Sequence, residues 1–215
     1  MAISAVLAVG EIADDLVDRI AKRALDLRTG DGRRSCDMGP LVTAAARDRV
    51  AAYVDAGEAA GATLVVDGRG IAADADGEGY FVGPTLFDHV STDMSIYTDE
   101  IFGPVLCIVR AEDYEDALRL PSQHEYGNGV AIFTRDGDAA RDFVSRVQVG
   151  MVGVNVPIPV PVAYHTFGGW KRSGFGDLNQ HGPASIQFYT KVKTVTERWP
   201  SGIKDGAEFA IPTMK

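Results

Sequence analysis

Amphipathic stretches alternate along this chain with short β-branched apolar runs, and that alternation most restricts how it can fold. Ile12, Leu16, Ile20 and Ala24 recur every four residues, with Asp14, Asp15, Asp18, Arg19 and Lys22 between them. Such spacing gathers the apolar side chains on one face of a helix. Thr43 is placed to cap a second helix, whose inner face carries Ala46, Val50, Tyr53 and Val54; Gly57 weakens its last turns and Gly61 ends it. Residues 62–66 read as a short buried strand. Residues 67–79, dense in glycine and acid, read as a surface loop. A strand at 104–110, a helix at 112–120, a strand at 130–134, a helix capped by Asp136 and a strand at 151–155 follow. The Asp136 helix turns Ala140, Phe143, Val144 and Val147 inward and stops at Gly150. Strands joined by helices of this length predict an α/β fold, a twisted parallel sheet with helices on both faces. Residues 189–199 alternate β-branched and charged side chains, which predicts an exposed edge strand suited to pairing with another chain.

With 215 residues, 46% of them hydrophobic, the chain is long enough for one domain with a substantial core. A net charge of −9 argues against a general nucleic-acid surface, which needs a basic stripe to neutralise phosphates. It still allows one anionic metabolite held by local cations. No stretch approaches the ~20 apolar residues of a membrane span. Residues 151–164 are mostly apolar but carry Pro157, Pro159 and Pro161, which excludes a continuous helix. The opening apolar run has no basic residue before it and meets Glu11, Asp14 and Asp15, a poor match to a secretory signal. Cys36 and Cys107 stand far apart and outside any metal-ligand spacing, so neither a metal site nor a disulfide framework is expected. A reducing, cytoplasmic compartment fits. The chain has no Gly-x-Gly-x-x-Gly sequence to cradle a pyrophosphate.

Several longer motifs run through the chain in order. They are the opening segment 1–10; Glu100-Ile101-Phe102-Gly103-Pro104-Val105; Tyr126-Gly127-Asn128-Gly129 with 131–137; the proline-rich 154–161; Phe167-Gly168-Gly169-Trp170-Lys171-Arg172-Ser173; and 188–200. Together they resemble the aldehyde dehydrogenases over nearly the whole chain. The 154–161 and 188–200 segments resemble in particular the coenzyme A-acylating methylmalonate-semialdehyde dehydrogenases.

That resemblance implies a partial catalytic domain at 1–187 and an oligomerisation strand with a C-terminal tail at 188–215. It implies NAD as cofactor and coenzyme A as co-substrate. The reaction converts methylmalonate or malonate semialdehyde to propanoyl-CoA or acetyl-CoA through a cysteine thiolate. In the family that cysteine directly precedes the residue matching Met1. The chain is therefore expected to carry no catalytic residue and, alone, no activity. Glu100 is expected to accept hydrogen bonds from ribose hydroxyls, because a carboxylate offers two acceptor oxygens to a vicinal diol. Phe102 is expected beside the nicotinamide and Phe167 in the aldehyde pocket. Blander readings stand beside these: Glu100 as a helix-end acid before a core phenylalanine, and Phe167 as a packed ring in a turn. His165 reads as a structural hydrogen-bonder, Cys107 as a core thiol and Cys36 as part of a surface turn. Pro121-Ser122 departs from the family's aliphatic-Asn pair, and proline there is expected to end the helix early. The expected partners are a small aldehyde and a second or longer subunit. A non-catalytic assembly module and a coenzyme A-independent aldehyde dehydrogenase remain as alternatives.

Overall fold

The computed structural model describes residues 3–71, 73 and 79–199. β1 (Ala5–Val9) leads through a short 3-10 turn into α1 (Ala13–Asp26). Ala13 and Val17 are buried along α1, with Leu16, Ile20 and Ala24 packed beside them. Ile12 precedes the helix and is exposed, so the inward stripe begins one residue later than its spacing predicts. α2 (Ala44–Ala59) starts at its predicted cap: the Thr43 hydroxyl accepts from the Ala46 N–H at 3.1 Å. Its buried face is Ala46, Val50, Val54 and Gly57.

β2 (Thr63–Val66) pairs antiparallel with β3 (Thr85–Asp88) at the edge of the sheet. Thr63 and Val65 consequently face solvent, and the strand expected to be buried is half exposed. After the single-turn helix α3 (Ser95–Thr98), β4 (Val105–Ala111) enters between β1 and β3, parallel to both. The sheet order is β1-β4-β3-β2. Successive strand residues point to opposite faces. Phe87, Val105, Cys107 and Val109 therefore meet α2 and α3, whereas Leu86, Leu106 and Ile108 meet α1. Helices on both faces explain why 105–109 is continuously apolar rather than alternating.

α4 (Tyr114–Gln123) runs through Pro121 instead of stopping before it. The proline lies in the last turn, where its missing N–H forfeits one ladder bond. The turn is closed around it: the Ser122 hydroxyl donates to the Leu118 carbonyl at 2.7 Å and the His124 N–H donates to Leu120 at 3.2 Å. β5 (Tyr126–Gly127) pairs antiparallel with β8 (Trp170–Lys171). β6 (Gly129–Ile132) pairs in parallel with β7 (Met151–Val154), joined through α5 (Gly137–Arg146). The Asp136 carboxylate caps α5, accepting from the Asp138 and Ala139 N–H groups. Phe143 and Val147 pack on Leu118 and Val149. Val144, one residue further round the helix, is exposed rather than inward.

α6 (Pro183–Tyr189) crosses the expected 187/188 boundary. Beyond it residues 190–199 form no strand. A ladder needs a second strand, and none of the described residues pairs with this segment. Residues 200–215 of the expected tail, and 72 and 74–78 of the expected loop, lie outside the described residues. Among the described residues no helix is long and apolar enough to cross a membrane.

Candidate cofactor and substrate site

The turn into β4 is held from beneath. Ile101 is buried among Val50, Val54 and Phe87, and its neighbours Glu100 and Phe102 are left outside. A Cβ on Gly103 would stand 2.4 Å from Val50 Cγ2, so only glycine lets the chain press this closely on α2. Tyr53 on α2 donates to Asp99 at 3.0 Å and ties down the other side of the turn. Phe102 is 75% exposed with φ of 56°, a left-handed conformation that is costly for a bulky side chain. A phenylalanine serving the core would be covered, so the core reading fails for this residue. Glu100 is exposed, and its carboxylate makes no hydrogen bond or ion pair among the described residues. Both of its oxygens stay open to an incoming donor pair. β1 runs beside this turn: the Ser4 carbonyl accepts from the Cys107 N–H at 3.1 Å.

Phe167 lies on a different part of the molecule, on the loop before β8. Its half-buried ring stacks on His181, with centroids 4.3 Å apart and planes 22° from parallel. Gly168 and Gly169 serve chain packing. A Cβ on Gly150 would lie 1.9 Å from the Gly168 carbonyl oxygen, and one on Gly168 would lie 2.3 Å from Asn179 Oδ1. The space beside these glycines is filled by the chain itself. His165 packs its ring on Tyr164, centroids 4.6 Å apart.

Between the two regions stands the C-terminal end of α4. Lys171 Nζ donates to the carbonyls of Pro121, Ser122 and His124 at 3.1, 2.8 and 3.0 Å. An ammonium has three donors, and all are used at the negative end of the helix. Burial holds the Lys171 pKa below the usual lysine value. The His124 ring bridges outward from the same point, with Nε2 3.0 Å from the Tyr97 carbonyl and Nδ1 accepting from the Tyr126 N–H at 3.1 Å. Nothing in the sequence pattern marks His124, because the Tyr97 carbonyl that it faces lies 27 residues away along the chain. A cleft of about 260 Å³ opens beside it, lined by Thr92, Tyr97, Arg119, Gln123, His124 and Glu125 among others. Glu100, Phe102 and Phe167 line neither this cleft nor a second one bounded by Glu115 and Arg146.

Cys107 is fully buried on β4, and its thiol donates to the Ile96 carbonyl at 3.3 Å. Burial pushes its pKa up to about 12, which disfavours the thiolate. Cys36 is half-buried after a 3-10 turn at 32–34. Among the described residues no group of three or more His, Cys, Asp or Glu could hold a metal ion.

The aldehyde dehydrogenase family profile matches residues 1–195. The chain belongs to the aldehyde dehydrogenase family. A malonate-semialdehyde dehydrogenase of Pseudomonas aeruginosa is 54% identical over 218 residues, covering 100% of this chain and 44% of that protein. A Sinorhizobium meliloti 1021 protein provisionally named methylmalonate-semialdehyde dehydrogenase, solved in complex with NAD, superposes with a TM-score of 0.90 at 59% identity. That alignment covers 95% of this chain and 42% of the other. The methylmalonate-semialdehyde dehydrogenase DddC of Oceanimonas doudoroffii gives 0.89 at 51% identity, covering 92% and 41%. This aldehyde dehydrogenase chain therefore spans less than half the length of the relatives it matches. Its α/β sheet with flanking helices is that part of their fold, and the family is one of oxidoreductases.

Proposed function

We propose that this chain supplies the nicotinamide end of an NAD site and one wall of an aldehyde pocket in a coenzyme A-acylating dehydrogenase. The substrates in this reading are methylmalonate and malonate semialdehyde, and the products propanoyl-CoA and acetyl-CoA. The observation that carries it is the pair flanking buried Ile101: an exposed carboxylate without a partner among the described residues and an exposed phenylalanine in a left-handed backbone. Glu100 would hold the ribose diol by accepting from both hydroxyls, and Phe102 would pack beside the nicotinamide. Phe167 would line the aldehyde pocket, its ring set by His181. Bound NAD supplies hydride acceptance. The nucleophile belongs to a cysteine outside this chain's residues, since Cys107 is held as a buried thiol. The two free thiols suit a reducing, cytoplasmic setting.

The alternative without coenzyme A is disfavoured by the proline-rich 154–161, which resembles the acylating branch. The reading as an assembly module is supported by the exposed Ile186, Tyr189, Val192, Val195 and Trp199, and it is compatible with the first. A second or longer copy of the chain is the partner both readings call for.

The test has two arms. With methylmalonate semialdehyde or propanal, NAD and coenzyme A, the isolated chain should release no NADH. Turnover within about a hundredfold of a typical ~10 s⁻¹ would overturn the assignment of the nucleophile to another segment. In titration calorimetry NAD should bind at millimolar strength or weaker, about 4 kcal/mol, and Glu100→Leu should remove the signal. A micromolar Kd, or one indifferent to Glu100→Leu, would contradict the half-site.

A further inference from the structure

We propose that His124 is a positioning residue that joins the Glu100–Phe102 turn to the Phe167 loop, and that its protonation uncouples them. This rests on the reading of those residues as cofactor and substrate contacts.

The geometry is a cross-brace at the end of α4. On one side the Nε2–H donates to the Tyr97 carbonyl at 3.0 Å, and the Tyr97 ring meets the imidazole edge-on with centroids 5.0 Å apart. Tyr97 belongs to α3, and the chain passes from it through Asp99 directly into Glu100 and Phe102. On the other side Nδ1 accepts from the Tyr126 N–H at 3.1 Å. Tyr126 pairs with Lys171 across β5 and β8, and β8 follows Phe167-Gly168-Gly169. The His124 carbonyl also accepts from Lys171 Nζ. One residue thus contacts the elements adjoining both segments, through its ring and its backbone.

The two bonds specify one chemical form. A backbone N–H aimed at Nδ1 requires a lone pair there, and a carbonyl facing Nε2 requires a proton there. Only the neutral imidazole with its proton on Nε2 satisfies both. Protonation places a second N–H against the Tyr126 N–H and turns an attraction into a repulsion. Charged groups of both signs stand nearby. Lys171 Nζ sits on the His124 carbonyl, Arg119 lines the same cleft from α4, and Arg172 stands 5.6 Å over the Tyr126 ring. Glu125 faces the site, but its carboxylate is engaged by Arg172. The phenol of Tyr97 is held neutral by burial, its pKa raised. Among the described residues lining the cleft, Glu125 is the only carboxylate.

Hydrogen exchange of the full chain, followed by mass spectrometry at about pH 8 and about pH 5 and corrected for intrinsic rates, decides the matter. Peptides over 97–103, 124–128 and 167–173 should lose protection together on acidification, by about tenfold or more, while the α2 peptide over 44–59 does not change. His124→Asn keeps an acceptor where Nδ1 stood but cannot titrate, so its 124–128 peptide should stay protected at both pH values. His124→Gln keeps the donor at the Nε2 position and should leave 124–128 open at both. Unchanged wild-type protection between the two pH values would overturn the brace, and this arm needs no variant to fold. So would acid loss in His124→Asn equal to wild type. NAD at a concentration well above the Kd found by titration that fails to protect 97–103, with the acid response intact, would remove the cofactor reading and leave the brace standing.

Discussion

Asp88, at the end of β3, is a buried carboxylate surrounded by donors: Arg110 Nη2 at 2.7 Å, Arg110 Nε at 3.2 Å and the His89 N–H at 2.7 Å. Burial alone would raise its pKa, but the hydrogen bonds from Arg110 and His89 and the positive charge of Arg110 outweigh that and hold it below the usual value. Arg110 also reaches Asp14 at 2.7 Å, so the pair fastens α1 to the ends of β3 and β4. The sign of the pH effect follows from the depressed folded value. Stability from this group is fully present above the unfolded carboxylate pKa of about 3.9 and is lost as pH falls through the lower folded value. Asp88→Asn should cost about 2 kcal/mol at neutral pH, the scale of hydrogen bonds to a charged group. The difference from wild type should narrow below about pH 4, as urea midpoints across pH would reveal. Nothing in the sequence marks Asp88 as buried. Its partner Arg110 follows it by 22 positions, and the pairing exists only once β3 and β4 lie side by side.

Elements whose cause is local were legible. Thr43 and Asp136 announce α2 and α5 because a cap acts within three residues of itself, and the apolar run at 105–109 announces β4. Thr43→Ala removes the acceptor for the Ala46 N–H and should lower stability by about 1 kcal/mol, whereas Thr43→Ser should be nearly neutral; a lower urea midpoint with an unchanged m-value is the expected signature. Elements whose cause is distant were not legible. β3 and α3 went unrecognised, since Thr85–Asp88 acquires its strand character only between β2 and β4. Pro121 misled for the same reason: local rules end the helix, and the Ser122 hydroxyl with the Lys171 ammonium from fifty residues away keeps its last turn satisfied. At the site, Glu100, Phe102 and Phe167 were singled out through family motifs alone. The exposure of Phe102 depends on the anchoring of Ile101 and Gly103 on α2, which no motif states.

At the scale of the whole molecule, apolar residues left outside are concentrated after α5. Val154, Val156, Tyr164, Phe175, Ile186, Tyr189, Val192, Val195 and Trp199 are all exposed. Exposed apolar surface favours association. The net charge of −9 opposes it, but repulsion is screened beyond about 8 Å at physiological salt, while apolar contact acts at closer range. Size exclusion with light scattering should therefore register species above the 23.0 kDa chain mass, and Val195→Lys should shift them toward monomer. A monodisperse monomer, indifferent to that substitution, would mean that residues 190–199 fold back on their own chain.

The fully covered Cys107 has a further use. Its sulfur sits in the middle strand with no accessible surface, bonded to a carbonyl on α3. A thiol reagent can consume it only during the moments when β4 parts from its helices. In a Cys36→Ser background it would be the lone thiol of the chain, and the speed of its modification would become a stopwatch for how often the heart of the sheet breathes.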